Sequence, residues 1–172
     1  MRPDDGIHAG TSAYLAFGAN LGDRARAIQE ALARLSAAGV QPRACSPLYE
    51  TDAVAPDPQP PSLNAVARVT TELPARDLLE LCLRIEAALG RVRPPDQPRA
   101  PRLIDIDLLL HGDAVIQEPP ALIVPHPRLL ERPFVRIPLA DVAEPGLVHP
   151  VSGQRLDRAA PDPTVRRRPA GA

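Results

Sequence analysis

The sequence predicts one α+β domain, an antiparallel sheet covered by helices. Strand and helix patterns follow one another in the order strand, helix, strand, strand, helix, strand. The 172 residues are enough for one domain with a sizeable core. The composition, with 44% hydrophobic and 24% charged residues, is that of a globular protein. No apolar run approaches the roughly 20 residues of a membrane span, so we expect no membrane partner.

The first unit is a strand, a glycine loop and a helix. Ala13–Phe17 has the residue types of a strand, and a glycine-containing loop over Gly18–Gly22 follows it. Asp23 can accept hydrogen bonds from the first backbone N–H groups of a helix over Arg24–Ser36. The apolar side chains of this helix recur on one face at Ile28, Leu32 and Leu35.

Two strands and a second helix form the middle of the chain. Pro42–Glu50 is predicted to be extended, and Leu63–Thr71 to form another strand. Between them, the prolines of Asp52–Pro61 remove backbone donors, so this stretch is predicted to be a surface loop. A helix is predicted to begin after Pro74 and to end at Gly90.

Two aspartates one residue apart lie inside the apolar stretch 101–113. The preceding segment Arg91–Arg102 is mostly arginine and proline and is predicted to be a loop. If the stretch is a strand, Asp105 and Asp107 share one face. The other face carries the apolar side chains of Ile104, Ile106, Leu108 and Leu110. The core would therefore fix the strand while both carboxylates project from the opposite face.

The remaining segments have weaker signals. We expect a turn at His111–Asp113 and short strands at Ala114–Ile116 and Leu122–Val124. A loop with a helix is expected at Pro127–Leu139. The C-terminal residues show no apolar periodicity and are expected to be disordered. The expected domain covers residues 13–158, between a flexible N-terminus at 1–12 and a disordered tail at 159–172.

Charge and cysteine usage exclude several classes of function. All 20 positively charged side chains are arginine, which excludes a P-loop lysine and a Schiff-base lysine. A net charge of −1 argues against a general nucleic-acid binder. The N-terminus lacks a secretory pattern, so we expect a cytoplasmic protein. Cys45 and Cys82 form neither a metal motif nor a disulfide framework and are interpreted as small hydrophobic residues.

The two aspartates are candidate metal ligands. Carboxylates that point the same way repel each other unless they share a cation, and Mg²⁺ prefers oxygen ligands from carboxylate, water and phosphate. Four upstream arginines can bind phosphate oxygens; these are Arg91, Arg93, Arg99 and Arg102. Two simpler interpretations stay open. The aspartates could lie on a solvated sheet face, and the arginines could merely neutralise them.

A histidine held between two prolines is a further candidate. Pro125 and Pro127 restrict the backbone on either side of His126, which would hold its side chain in place. A single histidine is more often structural than catalytic, so both interpretations stay open.

Several motifs occur in a fixed order along the chain. The most specific is "APRLIDIDLLL", residues 100–110, which contains the aspartate pair. The others are "AFGANLGD", "LYET", "LNAVARV", "RIEAALGRVR" and "VPHPRLLERPF". Together they resemble the hydroxymethyldihydropterin pyrophosphokinase family of folate biosynthesis, and the resemblance extends from Ala13 to Pro150.

This resemblance implies a ferredoxin-like antiparallel sheet core with flanking helices and an added hairpin. It also implies Mg²⁺-dependent transfer of pyrophosphate from ATP to 6-hydroxymethyl-7,8-dihydropterin, which yields the pterin diphosphate and AMP. ATP and the pterin would be the partners of an expected monomer, and two Mg²⁺ ions would be its cofactor.

The same resemblance implies roles for individual residues. Asp105 and Asp107 would hold the metal ions, and together with Arg91 and Arg102 they would be the catalytic residues. The ATP-binding residues would be Glu86, Arg91, Arg93, Arg102, Leu108, His126 and Arg132. The pterin would be bound by Asn64, by backbone around Thr51 and Val54, and by stacking on Phe134.

The sequence departs from the family pattern in three places. Ser62 stands where an aromatic residue would stack on the pterin opposite Phe134, a loss of about 0.5–1.5 kcal/mol. Pro98 stands where a basic residue is usual, with Arg99 one place later, and the role of Arg99 stays open. The family's C-terminal helix is not recognisable.

Two other functions agree with parts of the pattern. A nucleotidyl- or glycosyltransferase that uses Asp-x-Asp would need a nucleotide-sugar or primer site, for which the sequence offers no candidate. A non-enzymatic ferredoxin-like binding or regulatory domain would give the acidic pair no role. In that case Asp107→Ala would leave every activity unchanged.

Overall fold

The computed structural model describes residues 10–52, 59–92, 95–96 and 101–171. The helices of this part of the chain are α1 (Arg24–Ala37), α2 (Ala75–Ala88) and α3 (Pro133–Val142). Its strands are β1 (Thr11–Ala19), β2 (Gln41–Cys45), β3 (Tyr49–Thr51), β4 (Ser62–Thr71), β5 (Asp105–His111), β6 (Ile116–Glu118), β7 (Leu122–Val124) and β8 (Val165–Arg167). A single 3-10 turn at Leu129–Glu131 precedes α3.

Neighbouring strands of the main sheet are antiparallel in every pair that the structure describes. Its order is β5-β1-β4-β3-β8, and β2 lies beside β4 along the same edge as β3. Strands β6 and β7 form a separate hairpin. This arrangement confirms the predicted α+β, ferredoxin-like class with an added hairpin.

Local sequence signals explain where the first two helices begin and end. The Asp23 carboxylate accepts a hydrogen bond from the backbone N–H of Arg26 at 3.1 Å, so the predicted cap of α1 is confirmed. Pro74 precedes α2, as predicted. Gly39 and Gly90 follow α1 and α2 with φ of 89° and 92°, a conformation that favours glycine.

Two hydrophobic clusters pack on the sheet. The first joins α1 and α2 to side chains of β1, β4 and β5 such as Leu15, Ala67 and Ile106. The second contains Val135 and Leu139 of α3, together with buried side chains of β1, β4 and β5. Within the described ranges, no helix is long and apolar enough to cross a membrane.

The alternation predicted for the aspartate strand is confirmed for its first residues and is wrong at its end. Ile104, Ile106 and Leu108 pack in the first cluster, as predicted. A register shift then separates the pair Leu15–Leu108 from the pair Tyr14–Leu110, which leaves an extra residue in β5. Leu110 consequently packs in the second cluster.

The C-terminal segment contains a strand where disorder was expected. Residues Val165–Arg167 form β8, which pairs with β3, and Arg166 forms two hydrogen bonds with the Asp52 carboxylate at 2.9 and 3.2 Å. At the other end, β1 begins at Thr11, within the stretch expected to be flexible. The limits of the domain at residues 13 and 158 stay a prediction.

Candidate active site

Strand β1 brings candidate residues from its two neighbours together. Gly18 of β1 pairs with Asn64 of β4 on one side and with Asp105 of β5 on the other. Directly paired residues of antiparallel strands point to the same face. The candidate pterin-binding amide and the first candidate metal ligand therefore flank Gly18 on one face of the sheet.

The two aspartates have different surroundings. The Asp105 carboxylate forms ion pairs with two arginines, at 2.6 Å from Arg91 Nη1 and 2.9 Å from Arg102 Nη1. Asp107 Oδ2 lies farther from its neighbouring cation, at 3.7 Å from Arg132 Nη1. Asp105 is thus neutralised at close range, whereas Asp107 is neutralised only in part.

Burial is the main cause that raises the pKa of Asp107 to about 7, and the negative charge of Asp105 adds to it. The positive charge of Arg132 opposes this shift. A cation between the two carboxylates would remove the repulsion and favour the ionised form of Asp107.

The donor set fits Mg²⁺. Among the described residues, no group of three or more histidine, cysteine, aspartate or glutamate side chains is arranged to hold a metal ion. Asp105 and Asp107 of β5 offer two carboxylates, and Mg²⁺ is commonly held by one or two carboxylates with substrate phosphates and water.

Glu86 links α2 to the aspartate strand. Its side chain is 3% exposed, and Oε2 lies 2.8 Å from Arg91 Nη1. Oε1 accepts a hydrogen bond from the backbone N–H of Ile106 at 2.7 Å, between the two aspartates. These contacts give Glu86 a role in positioning Arg91 and β5.

Asn20, which the sequence analysis did not select, connects three segments. Its backbone N–H donates to the carbonyl of Arg102 at 3.1 Å, and its Oδ1 accepts from the Arg102 backbone N–H at 2.7 Å. Its Nδ2 donates to Gln59 Oε1 at 3.4 Å. The available signal was a polar residue in the turn after a buried strand, but sequence alone could not identify its partners.

His126 and Arg132 lie on the α3 side of the aspartates. The backbone N–H of Arg128 donates to His126 Nδ1 at 3.1 Å, so a neutral imidazole carries its proton on Nε2. Burial lowers the pKa of His126, and the positive charge of Arg132 adds to this effect. The Arg132 guanidinium also lies over the ring of Phe134, 5.7 Å from its centroid.

The candidate pterin residues on β3 and β4 contact each other. Asn64 Nδ2 donates to Thr51 Oγ1 at 3.0 Å and to the Ser62 carbonyl at 3.5 Å. Both side chains are buried, with exposures of 7% for Asn64 and 8% for Thr51. Their hydrogen bond fixes the orientation of the Asn64 amide.

Some predicted residues lie elsewhere or outside the described part. Leu108 packs in the first hydrophobic cluster, so its side chain faces that core and not the face that carries the aspartates. Val54, Arg93 and Arg99 lie outside the described residues. The predicted loops Asp52–Pro61 and Arg91–Arg102 fall partly in the same gaps.

Comparisons with known proteins show the family of the chain. The family model of 7,8-dihydro-6-hydroxymethylpterin-pyrophosphokinase (HPPK) matches residues 14–144. A 2-amino-4-hydroxy-6-hydroxymethyldihydropteridine pyrophosphokinase of Methylorubrum extorquens is 43% identical over 150 residues, which cover 87% of this chain and 91% of that protein. The folic acid synthesis protein fol1 of Pneumocystis carinii is 41% identical over 140 residues, 81% of this chain. The chain spans about a fifth of the length of this longer fungal protein, since the match covers 18% of it.

A solved structure supports the fold. A double variant of Plasmodium falciparum HPPK-DHPS, crystallised with pterin and p-hydroxybenzoate, superposes with a TM-score of 0.63 and 16% sequence identity. The superposition covers 86% of this chain and 42% of that chain. From the family match and the bacterial relative, the chain belongs to the 7,8-dihydro-6-hydroxymethylpterin-pyrophosphokinase family.

Proposed function

We propose that this protein transfers the β,γ-diphosphoryl group of ATP to the hydroxyl group of 6-hydroxymethyl-7,8-dihydropterin. The products are the pterin diphosphate and AMP. One observation carries the proposal beyond family membership, namely the pairing of Gly18 with both Asn64 and Asp105. It sets Asn64, the proposed pterin-binding residue, beside Asp105, a proposed metal ligand, and this supports a reaction between a pterin alcohol and a metal-bound triphosphate.

The phosphate side of the site consists of Arg91, Arg102, Asp105, Asp107 and Arg132. Asp105 and Asp107 would hold two Mg²⁺ ions between themselves and the triphosphate. When bound, Mg²⁺ would neutralise phosphate charge and hold the triphosphate in position. Burial first and the negative charge of Asp105 second raise the pKa of Asp107, and the repulsion between the two carboxylates supports a shared cation at this place.

Arginines would exchange partners when ATP binds. In the structure, Arg91 and Arg102 hold the Asp105 carboxylate at 2.6 and 2.9 Å. With Mg²⁺ bound at Asp105, both guanidinium groups would be free to donate to phosphate oxygens. Arg132 and Arg93 would add donors, and Glu86 would keep Arg91 in place. Neutral His126 would donate from Nε2 to the triphosphate, since its Nδ1 already accepts a hydrogen bond.

The pterin side consists of Thr51, Asn64 and Phe134. The Asn64 amide would hydrogen-bond the pterin ring in the orientation set by Thr51. Backbone around Thr51 and Val54 would complete the edge of the ring, and Phe134 would stack on its face. Leu108 would contribute to ATP binding through its backbone.

The reaction needs alignment more than covalent chemistry. The pterin hydroxyl oxygen attacks the β-phosphorus in line, a new O–P bond forms, and the bond from the β-phosphorus to the bridging α,β-oxygen breaks. AMP leaves with that oxygen. Positioning and charge neutralisation lower the barrier without an enzyme-bound intermediate. We assign no dedicated base, because metal coordination would make the hydroxyl group more acidic.

We further propose a cytoplasmic monomer whose partners are the two substrates, with no nucleic acid and no membrane. The net charge of −1 and the free thiols of Cys45 and Cys82 support this setting. The expected result of size-exclusion chromatography with light scattering is one species near 18 kDa.

An assay of AMP formation tests the reaction directly. Purified protein with ATP, Mg²⁺ and 6-hydroxymethyl-7,8-dihydropterin should form AMP and the pterin diphosphate, and no AMP should form when the pterin or Mg²⁺ is omitted. AMP formation that ignores the pterin would favour another nucleotide-using transferase. Calorimetry with a non-hydrolysable ATP analogue distinguishes the proposed enzyme from a non-enzymatic binding domain. A binding domain would bind the analogue equally well with and without the pterin.

A further inference from the structure

Gly18 occupies a position where neither backbone conformation nor packing requires glycine. Of the nine glycines that the structure describes, seven have a positive φ. Gly10 lacks room for a side chain, because a Cβ atom there would clash with the Thr70 side chain. At Gly18, φ lies outside the left-handed region. Fold geometry thus explains the other eight and leaves Gly18 unexplained.

Among the described protein atoms there is room for a methyl group at this position. A Cβ atom on Gly18 would lie 3.6 Å from Asn64 Oδ1, an ordinary van der Waals distance. No other described residue, apart from the chain neighbours, would lie within 4 Å. Gly18 is also partly accessible to solvent, although the strand residues on both sides are buried. Glycine within a strand is destabilising compared with alanine.

The place of Gly18 in the sheet suggests why this position must lack a side chain. Its Cα faces Asn64 across one strand pair and Asp105 across the other. A substrate bound at Asn64 and a second substrate bound at Asp105 would therefore meet above β1 at this residue. A strand glycine without a structural reason often marks the close approach of a ligand.

We propose that Gly18 is a specificity-determining residue, because its missing side chain keeps open the space between Asp105 and Asn64. In this space the primary alcohol of one substrate meets the metal-bound polyphosphate of the other. The inference rests on the proposed function, since it assigns the meeting point of the two substrates within the same site. A side chain at this position would keep the alcohol from reaching the phosphorus.

The test compares Gly18→Ala with Ser12→Thr, which adds a methyl group near the other end of the same strand. We expect Gly18→Ala to melt at or slightly above the wild-type temperature, since alanine restricts the unfolded chain. Calorimetry should show unchanged binding of a non-hydrolysable ATP analogue with Mg²⁺, but weaker binding of the pterin to that complex. Turnover should fall by about 100-fold or more, as expected when reacting groups are misplaced by about 1 Å. Ser12→Thr should match the wild type in all three measurements.

Each other outcome overturns the inference. A Gly18→Ala protein that melts well below the wild type would mean that the fold requires the glycine. Loss of ATP-analogue binding would mean that the methyl group disturbs the phosphate side instead of the meeting point. Turnover at the wild-type rate would mean that the two substrates do not meet in the space between Asp105 and Asn64. If the wild type itself forms no AMP, the proposed function fails first, and this inference fails with it.

Discussion

The proposed phosphate side and the proposed pterin side of the site differ in the kind of contact that holds their residues. On the phosphate side, Asp105 forms ion pairs with two arginines, and buried Glu86 forms an ion pair with one of them, Arg91. On the pterin side, the described contacts of Asn64 are hydrogen bonds to Thr51 and to the Ser62 carbonyl. Charge-assisted bonds are about twice as strong as neutral ones.

This difference predicts which property a substitution on each side should change. On the phosphate side, charged groups compensate each other, so removal of one group changes both catalysis and the folding of its neighbours. On the pterin side, substitutions should act mainly on affinity for the pterin, because few other described groups depend on these residues. The Asn20 hydrogen bonds connect Arg102 of the phosphate side to Gln59, which precedes β4.

The largest expected effect is on turnover in Asp107→Asn. The substitution removes a charged metal ligand worth several kcal/mol of transition-state stabilisation, so AMP formation should fall by about 1000-fold or more. The matched control is Asp113→Asn, an exposed aspartate in the turn after the same strand. Equal losses in both variants, or full activity in Asp107→Asn, would contradict the metal-ligand role.

The second prediction separates the two arginines that hold Asp105. The Arg91 side chain is 8% exposed and that of Arg102 is 29% exposed. Arg91→Ala removes a buried partner of Glu86 and should lower the free energy of unfolding by about 3 kcal/mol. Arg102→Ala should cost less than about 1 kcal/mol, as for a partly exposed ion pair. Urea unfolding without ligand measures both, and equal losses would argue against the supporting role of Glu86.

The third prediction concerns the pterin side. Asn64→Ala removes the amide proposed to bind the ring and should weaken pterin binding by about 1–3 kcal/mol, or roughly 5- to 150-fold. Calorimetry should show ATP-analogue binding unchanged by this variant, with Thr70→Ala on the same strand as a control for both ligands. A parallel loss of ATP-analogue binding would mean that the two sides are not separable.

The fourth prediction uses the raised pKa of Asp107. Its folded-state pKa of about 7 lies above the value near 3.9 in an unfolded chain, so the folded state binds the proton more tightly. Its contribution to stability is full below about pH 4 and is lost as the pH rises through about 7. In chelator, Asp107→Asn should therefore melt higher than the wild type at pH 8, by about 2–4 °C per kcal/mol, and at a similar temperature at pH 5. A lower melting temperature at pH 8 would show that the ionised carboxylate is stabilised by the fold.

Sequence patterns predicted the features that depend on neighbouring residues. The Asp23 cap, the end of α2 at Gly90 and the alternation around Asp105 and Asp107 follow from local chemistry, and the structure agrees with each. The chain order of the motifs predicted the family. The role of each site residue stays a prediction.

Features that depend on distant partners could not be predicted. The extra residue in β5 appears only when Leu110 is paired with Tyr14, so strict alternation placed Leu110 on the wrong face. Strand β8 has no apolar period of its own and forms along β3, with the ion pair between Arg166 and Asp52. The bridging role of Asn20 likewise depends on two segments far away in the sequence.

The smallest expected effect is a gain on the pterin side. Ser62 begins β4, pairs with Thr51, and lies two residues from Asn64, so both side chains project from the same face of the sheet. Ser62→Phe would supply an aromatic face opposite Phe134 and should tighten pterin binding by about 0.5–1.5 kcal/mol, or roughly 2- to 12-fold. Ser62→Leu is the matched control, since it adds apolar area without an aromatic ring. Equal gains in both variants would assign the effect to burial, and no gain in Ser62→Phe would mean that the pterin does not lie between residues 62 and 134.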